Sequence, residues 1–233
     1  MIIAIDGPAG SGKSTTAQAV AEKLGFKYIN TGSMYRAIGF AFLEAKIPVE
    51  AIDAAWVQSV GLRVEYDSRH KMLVYVGERE VSPFLNAPEI GEAASIVSAV
   101  ECVRTVAVEQ QKNLISRNAG LGSGVVLEGR DIGTVVAPDA DVKVYMDASP
   151  SARAQRRLGQ LLEAGADVTL PDIVAEIVAR DERDRSRTHS PLSIATDAIV
   201  VDTTRMTIDE QVDLIVNLAS SRLDQDQVNQ DPA

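Results

Sequence analysis

Short apolar runs and longer amphipathic stretches alternate along this chain. The apolar runs predict strands that are buried on both faces of a sheet, and they lie at Ile2–Ile5, Lys27–Ile29, Val125–Glu128, Val142–Met146 and Ala198–Val201. Apolar residues at helical spacing predict helices, and these lie at Ser14–Leu24, Ser33–Ala45, Val100–Ser116, Ser151–Ala164, Pro171–Arg187 and Thr207–Leu223. Alternating strands and helices predict an α/β fold, with a mostly parallel sheet flanked by helices on both faces.

Two stretches interrupt this alternation. Between residues 61 and 92, short segments with alternating apolar and polar positions are separated by turns, which predicts a small antiparallel insert that we call the β insert. Residues 154–190, here called the lid, are rich in arginine and poor in large apolar side chains, so we expect a mobile helical flap. The polar residues 223–233 are expected to form a flexible tail. Residues 1–222 then form one domain that contains the β insert and the lid.

The composition excludes several classes of protein. Hydrophobic residues make up 45 % and charged residues 24 %, which is typical of a globular chain and excludes a disordered or fibrous one. The net charge of −10 disfavours a nucleic-acid partner that is bound by bulk charge. A single cysteine, Cys102, leaves no disulfide framework, and two isolated histidines do not suggest a zinc site. With no signal peptide or long apolar run in the sequence, we expect a cytoplasmic protein without a membrane partner.

A glycine-rich segment follows the first predicted strand and fits the phosphate-loop pattern G-x-x-x-x-G-K-[ST]. The expected ATP-binding residues are Gly7, Pro8, Ala9, Gly10, Ser11, Gly12, Lys13, Ser14 and Thr15. Backbone N–H groups of such a loop surround phosphate oxygens, and the following helix directs its N-terminus at the same anion. Lys13 can reach the β- and γ-phosphates, and the Ser14 hydroxyl can ligate Mg²⁺. We therefore expect ATP as co-substrate and Mg²⁺ as cofactor.

The loop alone does not separate a kinase from other proteins that bind nucleoside triphosphates. The chain lacks the [NT]-K-x-D motif that a GTPase uses for guanine, which disfavours a GTPase. Asp147 and Asp202 end apolar strands, so each is either a second acidic residue of the nucleotide site or a cap at a strand end. The residues themselves leave this choice open.

Arginine is the dominant cation, with 16 arginines and 7 lysines among the 23 basic residues. Arginine binds phosphate through two hydrogen bonds at once, which lysine cannot do. Basic side chains share one face of each predicted lid helix: Arg153, Arg156 and Arg157 on the first, and Arg180, Arg183 and Arg187 on the second. Such faces are commonly solvated and laced with ion pairs. Two of them in an acidic protein favour a second anion site.

Further arginines lie at positions where α/β sheets bind ligands. Arg36 is near the start of a predicted helix, and Arg130 and Asp131 follow the Val125–Glu128 strand. Ligands of open α/β sheets bind beyond the carboxyl ends of the strands. Each arginine alone is equally consistent with a surface salt bridge. It is the number of arginines at such positions that favours an anion site.

Taken together, these segments resemble bacterial cytidylate kinases over residues 1–222. The resembling segments are residues 5–15, 31–36, 129–136, 180–187, 190–192 and 202–204. The β insert also resembles the extra subdomain on the acceptor side of that family. The resemblance implies a P-loop kinase core with five parallel strands and a helical lid. It also implies transfer of the ATP γ-phosphate to CMP or dCMP.

The resemblance implies a role for each matching residue. The acceptor phosphate is expected at Thr31, Arg36, Arg130 and Arg187. The cytosine contacts are expected at Ser95, Arg104 and Asp131. The ribose contact is expected at Asp184, with Arg180 on the same face. Lid residues near ATP are expected to be Arg153 and Arg157. Charge stabilisation during transfer is expected from Lys13, Arg130 and Arg187.

Other functions remain open at this point. Another P-loop kinase with a small acceptor, such as a shikimate or adenylate kinase, shares the loop and the fold. A nucleotide-dependent switch or assembly ATPase without kinase activity is a different class. We expect a monomer whose partners are its small-molecule substrates.

Overall fold

The computed structural model describes residues 1–119, 124–163, 165 and 167–230. Its strands are β1 (Ile2–Asp6), β2 (Lys27–Asn30), β3 (Leu62–Tyr66), β4 (Met72–Val76), β5 (Arg79–Glu80), β6 (Val125–Gly129), β7 (Val142–Asp147) and β8 (Ile199–Asp202). Its α-helices are α1 (Lys13–Leu24), α2 (Thr31–Ala45), α3 (Ala54–Ser59), α4 (Pro88–Val97), α5 (Glu101–Ala119), α6 (Pro150–Glu163), α7 (Leu170–Ser186) and α8 (Ile208–Gln230).

Five strands form one parallel sheet in the order β2-β6-β1-β7-β8, which confirms the predicted fold class. The central strand β1 pairs with β6 in a register that runs from Ile2 opposite Val125 to Asp6 opposite Gly129. Parallel strands end at the same edge of a sheet, so the glycine-rich loop after Asp6 lies beside the segment that follows Gly129. This register brings together two motifs that are far apart in the sequence.

The core lies on both faces of this sheet because consecutive side chains of a strand point to opposite sides. Ile3 and Ile5 pack on the face that α1 and α8 cover, with Val20 and Ile215. The intervening Ala4 packs on the other face, together with residues of the neighbouring strands and of α5: Ile29, Ile115, Val125 and Leu127. The layered core thereby fixes the positions at which the strands end.

The β insert is a separate antiparallel sheet of β3, β4 and β5, as predicted. Tyr66 anchors it to the core by donating a 3.1 Å hydrogen bond to the carbonyl oxygen of Tyr28 on β2. The sequence interpretation extended this insert to residue 92, but helix α4 begins at Pro88. Proline suits the first turn of a helix, and α4 buries Ile90, Ala93 and Val97 at helical spacing.

The lid consists mainly of α6 and α7, which pack through a small apolar cluster of Ala154, Leu161, Ile173 and Ile177. Ala164, the predicted end of the first lid helix, lies outside the described residues. The last helix, α8, continues to Gln230 instead of ending at Leu223. The flexibility of residues 223–233 stays a prediction, and residues 231–233 lie outside the described part. Among the helices of the described residues, none is long and apolar enough to cross a membrane.

Candidate active site

A cleft of 620 Å³ lies at the carboxyl ends of β1 and β6, between the glycine-rich loop, α2, α4, α5 and the lid. The predicted site residues that line it are Ala9, Gly10, Gly12, Lys13, Ser14, Thr15, Thr31, Arg36, Ser95, Arg104, Arg130, Asp131, Arg157, Arg180, Asp184 and Arg187. Those that lie outside the lining formed by the described residues are Gly7, Pro8, Ser11 and Arg153. The fold thus brings most of the predicted residues into one place.

The glycine-rich loop needs glycine for two different reasons. Gly7 passes so close to β7 that a Cβ atom there would lie 2.0 Å from the carbonyl oxygen of Met146. Gly12 has a φ of +96° just before α1, a conformation that other residues rarely adopt. The loop therefore turns tightly and leads into α1, whose N-terminus is a favourable place for an anion.

Lys13 is almost fully buried at the base of this loop. Its ammonium group donates a 2.6 Å hydrogen bond to the carbonyl oxygen of Pro8. Burial, and next the charge of Arg130, lowers the pKa of Lys13 to about 7, although Glu128 and Asp6 act in the opposite direction. A buried ammonium group whose charge is not fully balanced by nearby carboxylates indicates a binding position for an anion.

Glu128 is a site residue to which sequence reasoning assigned no role. Its buried carboxylate accepts a 2.7 Å hydrogen bond from the Ser14 hydroxyl and a 3.3 Å one from the Tyr28 hydroxyl. Burial, and next the charge of Glu128, raises the pKa of Tyr28. The available signal was an acidic residue at the end of an otherwise apolar strand beside the glycine-rich loop. Glu128 and Ser14 together present oxygen atoms of the kind that Mg²⁺ prefers.

Guanidinium groups crowd the side of the cleft opposite the loop. Burial and then Arg130 lower the pKa of Arg180 to about 10. Burial also lowers the pKa of Arg36, where Arg157 and Arg130 add to the effect. Neighbouring cations that depress one another's pKa values create a strongly positive potential. In a protein with a net charge of −10, this concentration of cations marks a local anion site.

Asp184 on the lid helix α7 holds two of these arginines. Its Oδ2 atom accepts a 2.9 Å hydrogen bond from Nε of Arg130, and its Oδ1 atom lies 3.8 Å from a terminal nitrogen of Arg187. Burial alone raises the pKa of Asp184, but the charges of Arg130 and Arg180 outweigh it, so the pKa is lowered. The lid is thus tied by charge to the segment that follows β6.

A second ion pair closes the inner end of the cleft. Arg104 on α5 and Asp131 after β6 form a salt bridge in which both residues are buried. Arg187 lies 3.8 Å from the other oxygen of Asp131, and the Arg104 guanidinium stacks 5.4 Å from the centre of the Tyr35 ring. The Ser95 hydroxyl on the cleft wall is buried with no hydrogen-bond partner among the described residues. This end offers a carboxylate, a guanidinium and a free hydroxyl side by side.

The first lid helix places its arginines in different positions. Arg153 ties three parts of the protein together, because it donates to the carbonyl oxygens of Ala9 at 3.0 Å and Ala148 at 3.1 Å and pairs with Asp181 at 2.7 Å. Arg156, which had no predicted site role, lines the cleft and donates at 2.5 Å to the carbonyl oxygen of Thr203. Its guanidinium also lies 3.4 Å from the carbonyl oxygen of Ser11.

The glycine-rich phosphate loop faces a cluster of arginines across one cleft, so the site can hold two anions close together. This arrangement places the protein among the P-loop phosphotransferases. Within that class the sequence match is specific. A family model described as cytidylate kinase matches residues 3–221, and the chain belongs to this family.

Individual relatives agree with this assignment. The cytidylate kinase of Salinibacter ruber is 46% identical over 218 residues, which are 93% of this chain and 96% of the relative. That of Magnetococcus marinus is 40% identical over 222 residues, which are 95% and 96% of the two chains. Among solved structures, a gluconokinase from Sinorhizobium meliloti is 14% identical with a TM-score of 0.49, over 98% of this chain and 97% of its own. The match to the family model and the identity to the two cytidylate kinases confirm, at the level of the family, the resemblance seen in the sequence.

Proposed function

We propose that this protein transfers the γ-phosphoryl group of ATP to CMP or dCMP, which gives ADP and CDP or dCDP. Phosphorylation of CMP by ATP is the reaction of the family to which the chain belongs. The observation that carries the proposal is the set of arginines that face the phosphate loop across one cleft. Each part of the cleft then receives one part of a substrate.

The acceptor phosphate is proposed to bind between Arg36, Arg130 and Arg187. Their guanidinium groups line the same cleft from α2, from the segment after β6 and from the end of the lid. Thr31 opens α2, where backbone N–H groups at a helix N-terminus favour an anion. Arg130 and Arg187 share the Asp184 carboxylate, so a bound phosphate would add negative charge that these cations can still accept. We therefore expect the site to favour a monophosphate over an uncharged nucleoside.

The cytosine ring is proposed to bind at the inner end of the cleft. Cytosine presents an amino donor at N4 beside acceptors at N3 and O2, so it needs an acceptor beside a donor. Asp131 and Arg104 offer these groups side by side, and Ser95 adds a free hydroxyl. Uracil would place a carbonyl oxygen against the Asp131 carboxylate, and such a mismatch discriminates strongly. Asp184 and Arg180 are proposed to hold the ribose.

ATP is proposed to bind along the glycine-rich loop, with Lys13 at the β- and γ-phosphates and Arg157 near it from the lid. Arg153 supports this binding by bracing the loop at Ala9. Ser14 and Glu128 would hold Mg²⁺, which supplies positive charge to the phosphate oxygens when it is bound. The loop, Lys13 and the lid thereby fix the γ-phosphoryl group in front of the acceptor.

The transfer itself needs no general base. The acceptor phosphate has a second pKa of about 6, so it is largely a dianion at neutral pH and already nucleophilic. One of its oxygens forms a bond to the γ-phosphorus as the bond to the leaving ADP oxygen breaks. The protein therefore contributes positioning and charge neutralisation, through Lys13 on the donor side and Arg130 and Arg187 on the acceptor side. A closed lid also excludes water, which would otherwise accept the phosphoryl group.

We further propose that the enzyme works as a monomer in the cytoplasm. The predicted site residues on the core and on the lid meet within a single chain, which supports this proposal. Its acidic character makes a nucleic-acid partner an unfavourable match. Size-exclusion chromatography with light scattering tests the monomer, and a mass near 24.9 kDa is expected.

The proposed function is tested by initial rates of ADP formation with Mg²⁺ and ATP against CMP, dCMP, UMP and AMP. We expect rapid turnover with CMP and dCMP and poor turnover with UMP and AMP. Replacement of the base contact, Asp131→Ala, should reduce the preference for CMP over UMP by about tenfold or more. ADP formation that does not depend on an acceptor would contradict the kinase assignment, and equal rates with CMP and UMP would contradict the base contacts.

A further inference from the structure

Asp131 stands immediately before a π-helical turn formed by Ile132–Val136. An aspartate in this position normally accepts hydrogen bonds from the first N–H groups of the turn, which have no partners within it. The Asp131 side chain accepts no such bond from this turn, all of whose residues the structure describes, although its backbone carbonyl accepts from Val135 and Val136. Its carboxylate faces Arg104 and Arg187 instead.

The N–H groups that Asp131 leaves free are bound by Asp6. The backbone N–H of Ile132 donates to Oδ1 of Asp6 at 2.8 Å, and that of Gly133 donates to Oδ2 at 2.7 Å. Asp6 is the last residue of β1, and the β1–β6 register puts it opposite Gly129, just before the turn. The cap of this turn is therefore supplied by a different strand.

This contact is close and fixes the orientation of the turn. Each carboxylate oxygen of Asp6 accepts one N–H group, so rotation of the turn would break at least one bond. A Cβ atom on Gly133 would lie 3.4 Å from Oδ2 of Asp6 and 3.2 Å from Cδ of Lys143. A side chain at this position would therefore crowd the Lys143 side chain more than the carboxylate.

We propose that Asp6 is a positioning residue for selection of the acceptor base: by capping the turn in place of Asp131, it leaves the Asp131 carboxylate at the inner end of the cleft, beside Arg104, where the two can face cytosine together. The inference rests on the proposed contact between Asp131 and the base. Ionisation of Asp6 in this buried position costs free energy. Burial raises the pKa of Asp6 to about 6, even though the hydrogen bonds from both N–H groups lower it. Such a cost is typical of a group that serves a site.

A different role for Asp6 is to support the glycine-rich loop, which begins at the next residue. The two roles differ in the substrate that they affect. Support of the loop would act on ATP, whereas orientation of the turn acts on the base of the acceptor. The variant Asp6→Asn separates the two roles. Its amide oxygen can still accept from one backbone N–H group, but its NH₂ group would face the other N–H group, donor against donor.

In Asp6→Asn, we expect the ratio of kcat/KM for CMP to kcat/KM for UMP to fall by about tenfold, mainly through KM for CMP. KM for ATP at saturating CMP should stay within about twofold of the wild type. In the double variant with Asp131→Ala, the ratio should equal that of Asp131→Ala alone, since Asp6 acts through Asp131. Asp147→Asn is the matched control: it makes the same change at the end of β7, where the carboxylate accepts from Ala148, and should leave the ratio unchanged.

A normal CMP-to-UMP ratio in Asp6→Asn, alongside a reduced ratio in Asp131→Ala, would overturn this inference and leave the proposed function intact. A normal ratio in Asp131→Ala would overturn the base contact and this inference with it. A rise in KM for ATP as large as that for CMP would assign Asp6 to the loop. If Asp6→Asn does not fold, Asp6→Glu keeps the charge but lengthens the side chain by one methylene, which shifts the turn relative to β1. A lower ratio in that variant supports the inference, and an unchanged ratio overturns it.

Discussion

Ser14 and Glu128 are joined by a 2.7 Å hydrogen bond between the Ser14 hydroxyl and Oε1 of Glu128, although 114 positions separate them in the chain. Ser14 lies in the first turn of α1, just after the glycine-rich loop, and Glu128 lies near the end of β6. Because Ser14 is the proposed Mg²⁺ ligand, this bond adds a carboxylate to the same site.

Glu128→Gln keeps the shape of this side chain and removes its charge. We expect kcat to fall by about 10²-fold and the Mg²⁺ concentration for half-maximal rate to rise, because a neutral amide holds a divalent cation less well. Initial rates across a series of Mg²⁺ concentrations measure both. Glu22→Gln, on the exposed side of α1, is the control and should behave as the wild type. An unchanged Mg²⁺ dependence in Glu128→Gln would count against its role.

Lys13→Met and Arg187→Ala each remove one cation from the path of the transferred group. We expect each variant to lower kcat by about 10²-fold or more, because such charges stabilise the transition state in a site that excludes water. A coupled ADP assay measures the effect. Arg183→Ala changes an exposed arginine of α7 and should retain its activity. Full activity in either of the first two variants would refute its assigned role.

The raised pKa of Asp6 predicts how stability depends on pH. Burial, with a smaller contribution from Asp131, raises this pKa from 3.8 to about 6, against the lowering effects of the two backbone N–H groups and of Lys13. The folded state therefore binds a proton that the unfolded state releases above pH 3.8, so this contribution is complete below that pH and is lost as the pH rises through about 6. Relative to Asp6→Asn, the free energy of unfolding of the wild type should fall by about 3 kcal/mol over this range.

Urea unfolding of the two proteins between about pH 4 and pH 7 measures this difference directly. Groups that both proteins share cancel in the comparison, so the change with pH is the informative quantity. Parallel curves for the wild type and Asp6→Asn would show that Asp6 titrates as it does in the unfolded chain.

The cations of the cleft predict closure of the lid when both substrates bind. Arg157 and Arg180 of the lid face Arg36 and Arg130 of the core, and their mutual repulsion falls when phosphate groups lie between them. We expect small-angle scattering or a fluorescence-transfer pair to report compaction with CMP and a non-hydrolysable ATP analogue together. No change at saturation would argue against gating by the lid.

Local patterns were sufficient to predict most of the fold. The five predicted strands of the parallel sheet are confirmed. They could be predicted because buried apolar runs and turn glycines are visible within a few residues of sequence. Helices α3 and α4 were not predicted. The first is only six residues long, and the second begins inside the stretch that was assigned to the β insert, so the helical spacing of its apolar residues was overlooked. The end of α8 was also misplaced, because its polar sequence carries no stop signal.

Site residues could be predicted where a local sequence motif includes the functional groups themselves. They could not be predicted where the function of a residue depends on contacts made by folding. The glycine-rich loop and the arginines could be identified from the sequence. Glu128 and Asp6 acquire their contacts only through the register of β1 and β6. The different positions of Arg153 and Arg156 depend on how α6 lies over the loop, because a shared helical face does not say which side chain the neighbouring backbone carbonyls will bind.

The central claim is that Arg36, Arg130 and Arg187 form a cradle for the acceptor phosphate opposite the glycine-rich loop. A crystal structure with CMP and a non-hydrolysable ATP analogue tests it most directly. We expect the CMP phosphate within hydrogen-bond distance of these three guanidinium groups and the cytosine edge against Asp131 and Arg104. CMP bound elsewhere, or the three arginines directed into solvent with the lid closed, would contradict the account.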